Sequence, residues 1–451
     1  MNRKKKMFVF FFIFTLAACG LFSSMNAYAD GGLGKLANGE GKWAKFWKPI
    51  EMYRWWDPGH YFEPDNKVEG QFQGTDCITC HKVTTPGIVL DWKASKHSGA
   101  IVTCDKCHGN DHQKLSMPTP ETCGTKGCHA KQVKQFHSEK ESGHPAHARA
   151  FHPDVLEAGW QINKPQPEVA GCAQCHSVEN KCDACHFRHR FNASEARRPQ
   201  ACGYCHNGPD HRDKECYESS AHGVITSIDG NNWDWDKTLK AGNYRAPTCA
   251  YCHMYKGTHN AIENAIYSHM GVQEVDRGSE EHAEKRKKWL GICNDCHSSR
   301  FAKAYLSGAD ETVKVSHAKV REAKAVVEDL QKAGFLEAMP KDLAPYLDEG
   351  HKWNLGGRMY NITGIERTYF DMLVYQGTTV FKAAFHMSSN MQTYELGAFK
   401  QDDSLLKIKS EASKLRRLKA LETKAGIEHV PYDFWKKGEY TDSLTVIEAE
   451  K

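Results

Sequence analysis

The pattern of apolar and polar residues divides the chain into three parts. A basic start leads into an apolar run over residues 7–22. From residue 302 onward the character changes, and apolar residues recur at helical spacing among paired charges, over 313–336 and again within 364–425. We therefore predict a mainly α protein with very little β structure. Short helices and loops should occupy residues 30–301, and long helices should occupy residues 302–451.

The first 29 residues have the form of a signal peptide. Residues 3–6 are basic, the apolar run follows, and residues 27–29 (Ala-Tyr-Ala) make a small-x-small cleavage site. A rival site precedes Cys19 and would leave a lipid-anchored cysteine. Nothing else in the chain approaches the ~18 apolar residues that a membrane span needs. We expect an exported protein, in the periplasm or an equivalent extracytoplasmic compartment.

The residues that carry chemistry are cysteines and histidines, 18 and 25 of them among 451 residues. Eight times, a pair of cysteines is followed directly by a histidine. These units, in chain order, are Cys77/Cys80/His81, Cys104/Cys107/His108, Cys123/Cys128/His129, Cys172/Cys175/His176, Cys182/Cys185/His186, Cys202/Cys205/His206, Cys249/Cys252/His253 and Cys293/Cys296/His297. Cys-x-x-Cys-His is the signature of covalent c-type haem attachment, and its histidine ligates the iron. The sequence therefore predicts eight covalently attached c-type haems.

The third unit departs from the usual spacing. Four residues separate Cys123 from Cys128, which is compatible with attachment if the intervening loop bulges. At two cysteines each, the units use sixteen of the 18 cysteines and leave Cys19 and Cys216. We expect Cys216 to be an unpaired, packed thiol.

Structural zinc or disulfides are the rival explanation of paired cysteines. Neither requires a histidine directly after the second cysteine, so eight such histidines favour haem. Haem also accounts for the composition, because a mean hydropathy of −0.65 and 40% hydrophobic residues are poor material for a large aliphatic core. The formal net charge of +4 gives no sign of a nucleic-acid partner.

The remaining histidines supply candidates for the second axial ligand of each iron. A haem with histidine on both faces transfers electrons, whereas a catalytic haem keeps one axial position open. The candidates in short polar contexts near the units are His97, His112, His147 (or His144), His152, His189, His222 and His259. Held in reserve are His269, His282, His317, His351 and His386.

Three of the units crowd into residues 172–211, a run that ends in Asp210-His211, a pair able to handle protons. The eight-unit order and the stretches CDACHFRHRF, CGYCHNGPDH followed by SSAHG, APTCAYCHM and THN resemble the octahaem hydroxylamine oxidoreductase family over residues 75–400. Pentahaem nitrite reductases are a poorer match, because they mark their catalytic haem with Cys-x-x-Cys-Lys and this sequence has no such unit.

The resemblance implies that the fourth unit, at His176, holds the catalytic haem. It also implies a distal pocket made of Asp210, His211 and a tyrosine after the seventh unit, here Tyr255. Such a confined Asp-His pair can be tuned to supply protons. A homotrimer, packed through the long C-terminal helices, is implied as well. From the residues alone, Asp210 could instead be a helix cap, His211 an ordinary distal ligand, and the C-terminal region a monomeric helical bundle.

The direction of the reaction depends on one further residue. Oxidative members of the family carry a tyrosine from a neighbouring subunit, linked to the catalytic porphyrin, shortly after a helical histidine, here His386. Met391 occupies the expected position and Tyr394 follows three residues later, which favours absence of the link. We predict reduction of nitrite or nitric oxide to hydroxylamine or ammonium.

Two alternatives stay open. One is oxidation of hydroxylamine or hydrazine on the same scaffold, and the other is a non-catalytic electron conduit. In each case the expected redox partner is a small c-type cytochrome or a quinol-oxidising membrane complex.

Overall fold

A computed structural model describes residues 61–62, 68–116, 118–141, 182–208, 211–261, 263–264, 277–336 and 363–428. Several predicted features lie outside the described residues. They are the signal peptide, the fourth unit (Cys172, Cys175 and His176), Asp210, and the candidate ligands His144, His147, His152, His269 and His351.

The described chain is mainly helical. In chain order its α-helices are α1 Thr75–Thr84, α2 Pro86–Ala94, α3 Lys96–Gly99, α4 Asp105–His108, α5 Pro120–Cys123, α6 Ala130–Glu141, α7 Ala193–Arg197, α8 Pro199–Gly203, α9 Asp213–Glu218, α10 Ala221–Asp229, α11 Cys249–His253, α12 Glu280–Cys293, α13 Ser299–Lys332, α14 Gly364–Phe370, α15 Gly377–His386, α16 Ser389–Thr393 and α17 Ala398–Ala425. Single 3₁₀ turns cover Cys182–Ala184, Gly230–Asn232 and Tyr255–Gly257. None of the described helices has both the length and the apolar character to cross a membrane.

The β structure of the described chain is one short antiparallel pair, β1 (Tyr61–Phe62) and β2 (Leu115–Ser116). Long helices occupy the C-terminal part, and short ones carry the attachment units. The prediction of a mainly α protein is confirmed.

Each of the seven described attachment units folds as a helical turn, which explains the short helices. The backbone N–H of the motif histidine donates to the carbonyl of the first cysteine, for example from His108 to Cys104 and from His206 to Cys202, both at 2.9 Å. This i to i−4 bond defines one turn of α-helix. Since residues three and four apart share a helix face, the turn presents both thiols and the imidazole to the same side.

The widely spaced third unit closes with the same bond. The N–H of His129 donates to the carbonyl of Cys123 at 3.0 Å, although six positions separate them. The two extra residues bulge outward at Gly127, whose φ of 90° is a backbone conformation that glycine adopts without strain. The bulge therefore keeps His129 hydrogen-bonded to Cys123, as the motif histidine is bonded to the first cysteine in the other described units.

The C-terminal helices enclose the main aliphatic core. Helix α13 buries a stripe at helical spacing, which includes Leu306, Val313, Val320, Val327 and Leu330. This stripe packs against α17 and against a continuous helix in which a π-helical segment, Asp371–Gln376, joins α14 to α15. Helix α13 begins at Ser299, before the predicted boundary at residue 302, so it reaches from the eighth unit directly into this core.

Candidate haem cavity

All seven attachment units that the structure describes open into one cavity. Its volume is 2610 Å³, and its lining includes the two cysteines and the histidine of each of these units. The aliphatic side chains around this cavity leave its volume unfilled. The apolar mass inside this part of the protein is therefore expected to come from a cofactor.

Histidines line this cavity in facing pairs. Six motif histidines each lie opposite a histidine from elsewhere in the chain, with ring centroids 6.0 to 6.4 Å apart. The pairs are His81–His112, His108–His189, His129–His97, His186–His259, His253–His386 and His297–His222. Metal–imidazole bonds are about 2 Å long, so an iron held between two histidines places their centroids roughly 6 Å apart. The residues present fit bis-histidine haem.

Hydrogen bonds at the outer ring nitrogens orient several of these imidazoles. Nδ1 of His81 lies 2.7 Å from the Thr85 hydroxyl, and Nδ1 of His386 lies 2.7 Å from the carbonyl oxygen of Lys382. Nδ1 of His108 is likewise 2.9 Å from the carbonyl oxygen of Ser116. Such bonds fix the tautomer and leave Nε2 available as the metal ligand.

Burial keeps these rings in the form that binds iron. Burial, and after it the facing His386, lower the pKa of His253 to about 4. The pKa values of His186, His189 and His222 are also lowered, by burial first and then by the histidine opposite. Since only neutral imidazole ligates a metal, the cavity favours ligation over protonation.

Neighbouring attachment sites lie side by side. The thiols of Cys123 and Cys182 contact each other, and so do those of Cys202 and Cys249, with the result that the pKa values of Cys123 and Cys202 are raised. The third site is thus adjacent to the fifth, and the sixth is adjacent to the seventh. Haems attached at these places would be close enough to form a chain.

Most of the predicted distal ligands lie in the cavity. Five of the seven candidates (His97, His112, His189, His222 and His259) lie opposite a motif histidine, and the other two are outside the described residues. His386, held only in reserve, faces His253. Sequence reasoning passed it over because it lies far from any unit along the chain. The reserves His282 and His317 are buried, but they are not among the cavity lining.

His211 lines the cavity in a different way. Its ring lies 6.4 Å from that of His206 and is nearly perpendicular to it, at 83°. Its Nε2 donates to the carbonyl oxygen of Cys205 at 2.9 Å. Because this nitrogen is engaged by the backbone, Nδ1 is the atom of His211 that can accept or release a proton.

The role of Tyr255 in the pocket of the fourth site stays a prediction, because the fourth unit lies outside the described residues. The phenol of Tyr255 donates to Asp295 at 2.6 Å, and its side chain is not among the cavity lining. Tyr255 begins a 3₁₀ turn in which Lys256 has a φ of 58°. Tyr251, inside the seventh unit, does line the cavity, and it shares Asp295 as its acceptor.

Comparison with known proteins agrees with this geometry. The family model described as "seven times multi-haem cytochrome CxxCH" matches residues 97–342, more than half of the chain. The chain belongs to this family of multihaem cytochromes. Covalently attached c-type haems follow from that membership.

A curated relative is the probable nitrite reductase-hydroxylamine oxidoreductase fusion protein of Kuenenia stuttgartiensis. It is 31% identical over an alignment of 490 positions, which covers 85% of this chain and 57% of the relative. The chain thus spans little more than half the length of that protein.

Two solved structures are similar. The Kuenenia stuttgartiensis reducing HAO-like protein complex matches with a TM-score of 0.71 at 28% identity, covering 84% of this chain and 93% of the solved one. A hypothetical multiheme protein matches in fold, with a TM-score of 0.62 at 16% identity, covering 82% and 99%. The predicted resemblance to multihaem cytochromes of the hydroxylamine oxidoreductase type is confirmed, and redox chemistry of nitrogen compounds is consistent with it.

Proposed function

We propose that this chain is an exported octahaem cytochrome that reduces nitrite or nitric oxide to hydroxylamine or ammonium at the unit of His176. The observation that carries this proposal is the likeness, at a TM-score of 0.71 over 84% of the chain, to a complex described as reducing and HAO-like. The relative named as a nitrite reductase fusion points to the same class of substrate.

The facing histidines support the electron-transfer part of the proposal. When bound, haems with two histidine ligands pass electrons, and a haem with an open position binds a small nitrogen oxide. The chain's own role is to hold the irons from both faces, to keep the imidazoles neutral by burial, and to place neighbouring sites in contact. The described units would serve as relays to the fourth one.

His211 supports the proton-transfer part. Reduction of a nitrogen oxide consumes protons together with electrons, so a proton donor is needed beside the substrate. The Cys205 carbonyl orients the ring through Nε2, and a protonated His211 can therefore give up the proton on Nδ1. We assign this step to His211, with Asp210 beside it in the sequence as its partner.

Two residues near the end of the chain bear on the direction of the reaction. Met391 is buried against Cys216 and Ala383, so the position expected for a porphyrin-linked tyrosine is occupied by a packed thioether. Tyr394 is 57% exposed and lies edge-on against Phe399 of its own chain, at 5.2 Å. The packed Met391 favours an unlinked, reductive enzyme.

The exposed apolar side chains of helix α17 favour assembly of several subunits. Helix α17 exposes Phe399, Leu406, Leu418 and Leu421, and apolar side chains in this number suit a helix that packs against other subunits. We include the homotrimer in the proposal, with a small c-type cytochrome or a quinol-oxidising membrane complex as the electron donor.

Replacement of His211 by alanine tests the site. We expect kcat for nitrite reduction, measured with chemically reduced methyl viologen, to fall by about 100-fold or more because a general acid is lost. The haem content of the variant should equal that of the wild type in a pyridine haemochrome assay. Retention of wild-type kcat would show that His211 is not the proton donor.

A matched control and a second readout complete this test. His137→Ala removes a histidine that pairs with Glu121 outside the cavity, and it should leave kcat unchanged. Mass spectrometry of haem peptides from the wild type should show thioether links to cysteines and no link to Tyr394. A tyrosine link, together with hydroxylamine oxidation as the only activity, would reverse the proposed direction.

A further inference from the structure

The sixth unit has a carboxylate at its proximal histidine. Nδ1 of His206 lies 3.3 Å from Oδ2 of Asp213, the first residue of helix α9. Where the structure describes Nδ1 partners for other motif histidines, they are uncharged, a hydroxyl at His81 and a carbonyl at His108. The carboxylate of Asp213 therefore distinguishes the sixth site from the first and second sites.

The carboxylate is held firmly in place. Nζ of Lys382, on helix α15, donates to both oxygens of Asp213 at 2.7 Å. The two side chains are only 17% and 21% exposed. The N–H of Lys214 also donates to the carbonyl of His206 at 2.9 Å, which ties the start of α9 to the unit. Asp213 cannot turn away from the imidazole without breaking these contacts.

The ion pair with Lys382 places a negative charge beside His206. The ammonium group lies 2.7 Å from both carboxylate oxygens and stabilises the ionised form of Asp213. An ionised carboxylate that accepts the Nδ1 proton makes an imidazole a stronger electron donor to its metal. Stronger donation stabilises ferric iron over ferrous iron.

The same lysine reaches the seventh site. Its carbonyl oxygen accepts from Nδ1 of His386, which faces His253. The sixth and seventh sites are adjacent through Cys202 and Cys249. A difference in potential created at the sixth site would therefore act across a direct contact between two relays.

We propose that Asp213 is a positioning residue that lowers the reduction potential of the sixth haem through its hydrogen bond with His206, with Lys382 holding the carboxylate in place. This inference rests on the proposed function only in requiring a haem at the sixth unit. It does not depend on the substrate or on the direction of catalysis.

The test is a redox titration of the purified holoprotein and of Asp213→Asn, followed by Soret absorbance and by EPR of the low-spin ferric haems. Asparagine keeps the shape of the side chain and removes its charge. We expect one haem's share of the titration amplitude to move to higher potential and one set of low-spin g values to change. Titration curves that superimpose would overturn the proposal.

Two further variants make the result specific. Asp402→Asn removes a carboxylate from another lysine pair, with Lys319, away from the cavity, and should leave the titration unchanged. Asp213→Glu restores the charge and should return the curve towards that of the wild type. If Asp213→Asn loses one haem, retention of that haem by Asp213→Glu supports the role, whereas equal loss in both contradicts it.

The outcome is separable from that of the proposed function. A shift in one haem, found in a protein without nitrite reductase activity, would uphold the role of Asp213 and refute the assigned reaction. Nitrite reductase activity in the wild type, found together with an unchanged titration of Asp213→Asn, would support the assigned reaction and refute the role of Asp213.

Discussion

At the residue scale, one carboxylate connects the first two attachment units. Asp105 in the second unit accepts from the backbone N–H of Gly74 at 2.8 Å and from the Thr103 hydroxyl at 2.6 Å. Gly74 caps helix α1, which carries the first unit. One side chain, 6% exposed, thus joins the first two haem sites.

Asp105 should make stability depend on pH in the acid range. Burial raises the pKa of its carboxyl group, but hydrogen bonds from Thr103, Gly74 and Lys106 outweigh burial and lower it to about 2. The unfolded value is about 4, so this contribution is fully present above about pH 4 and is lost as the pH falls through about 2. Asp105→Asn should cost about 2 kcal/mol of unfolding free energy at neutral pH and flatten the acid limb.

Urea unfolding of the holoprotein between pH 2 and pH 7 measures this effect. Asp236→Asn, which changes an exposed carboxylate, should leave the curve in place. An acid limb equally steep in Asp105→Asn and in the wild type would contradict the role given to Asp105.

At the element scale, one ion-pair cluster fastens the helix of the eighth unit to the C-terminal core. Nη2 of Arg286 on α12 donates to both oxygens of Asp310 on α13, at 2.8 and 2.7 Å. Arg277 adds a contact to the same carboxylate at 3.3 Å. The side chains of Arg286 and Asp310 are 15% and 18% exposed, so removal of one partner leaves a charge in a poorly solvated place.

Asp310→Asn should therefore lower the free energy of unfolding by about 3 kcal/mol. Asp329→Asn is the matched control, because Asp329 pairs with Arg416 at 2.6 Å on the surface, where such a pair contributes about 0–1 kcal/mol. Denaturant midpoints of the two holoprotein variants compare the sites directly. Equal losses would mean that burial does not set the strength of the inner pair.

At the scale of the whole molecule, the protein has two kinds of interior. The C-terminal helices pack aliphatic side chains against each other, as Leu330, Met372 and Ile408 show with exposures of 0%. The region of the attachment units surrounds a cavity of 2610 Å³ instead. The first interior is complete from the protein alone, whereas the second depends on porphyrin for its apolar contacts.

Haem removal should separate these two interiors. In full-length chain produced without haem attachment, amides of α13 and α17 should keep slow hydrogen exchange, because their core is intact. Amides of the described residues between 75 and 297 should exchange at least about 100-fold faster than in the holoprotein, since small apolar clusters do not stabilise a fold alone. Mass-spectrometric exchange of both forms measures this. Uniform protection in the haem-free chain would contradict the cofactor's structural role.

The candidate site was predictable to the extent that its chemistry is local. The two cysteines and the histidine of a unit lie within one helical turn, so their spacing is visible in the sequence. Polar context near the units was enough to nominate His112 and His259, which lie opposite His81 and His186. Polar context did not single out His386, because this histidine lies in an apolar helix more than a hundred positions from His253.

The sequence by itself determined the attachment units, the helical class and the long C-terminal helices, since thiol spacing and apolar periodicity are properties of neighbouring residues. Only the tertiary structure decided which histidines face each other, which units touch, and where charge is placed beside an imidazole. Those relations join residues such as Asp213 and Lys382, brought within 2.7 Å from positions far apart in the chain. No local pattern records such a contact, because it depends on how the packed helices meet.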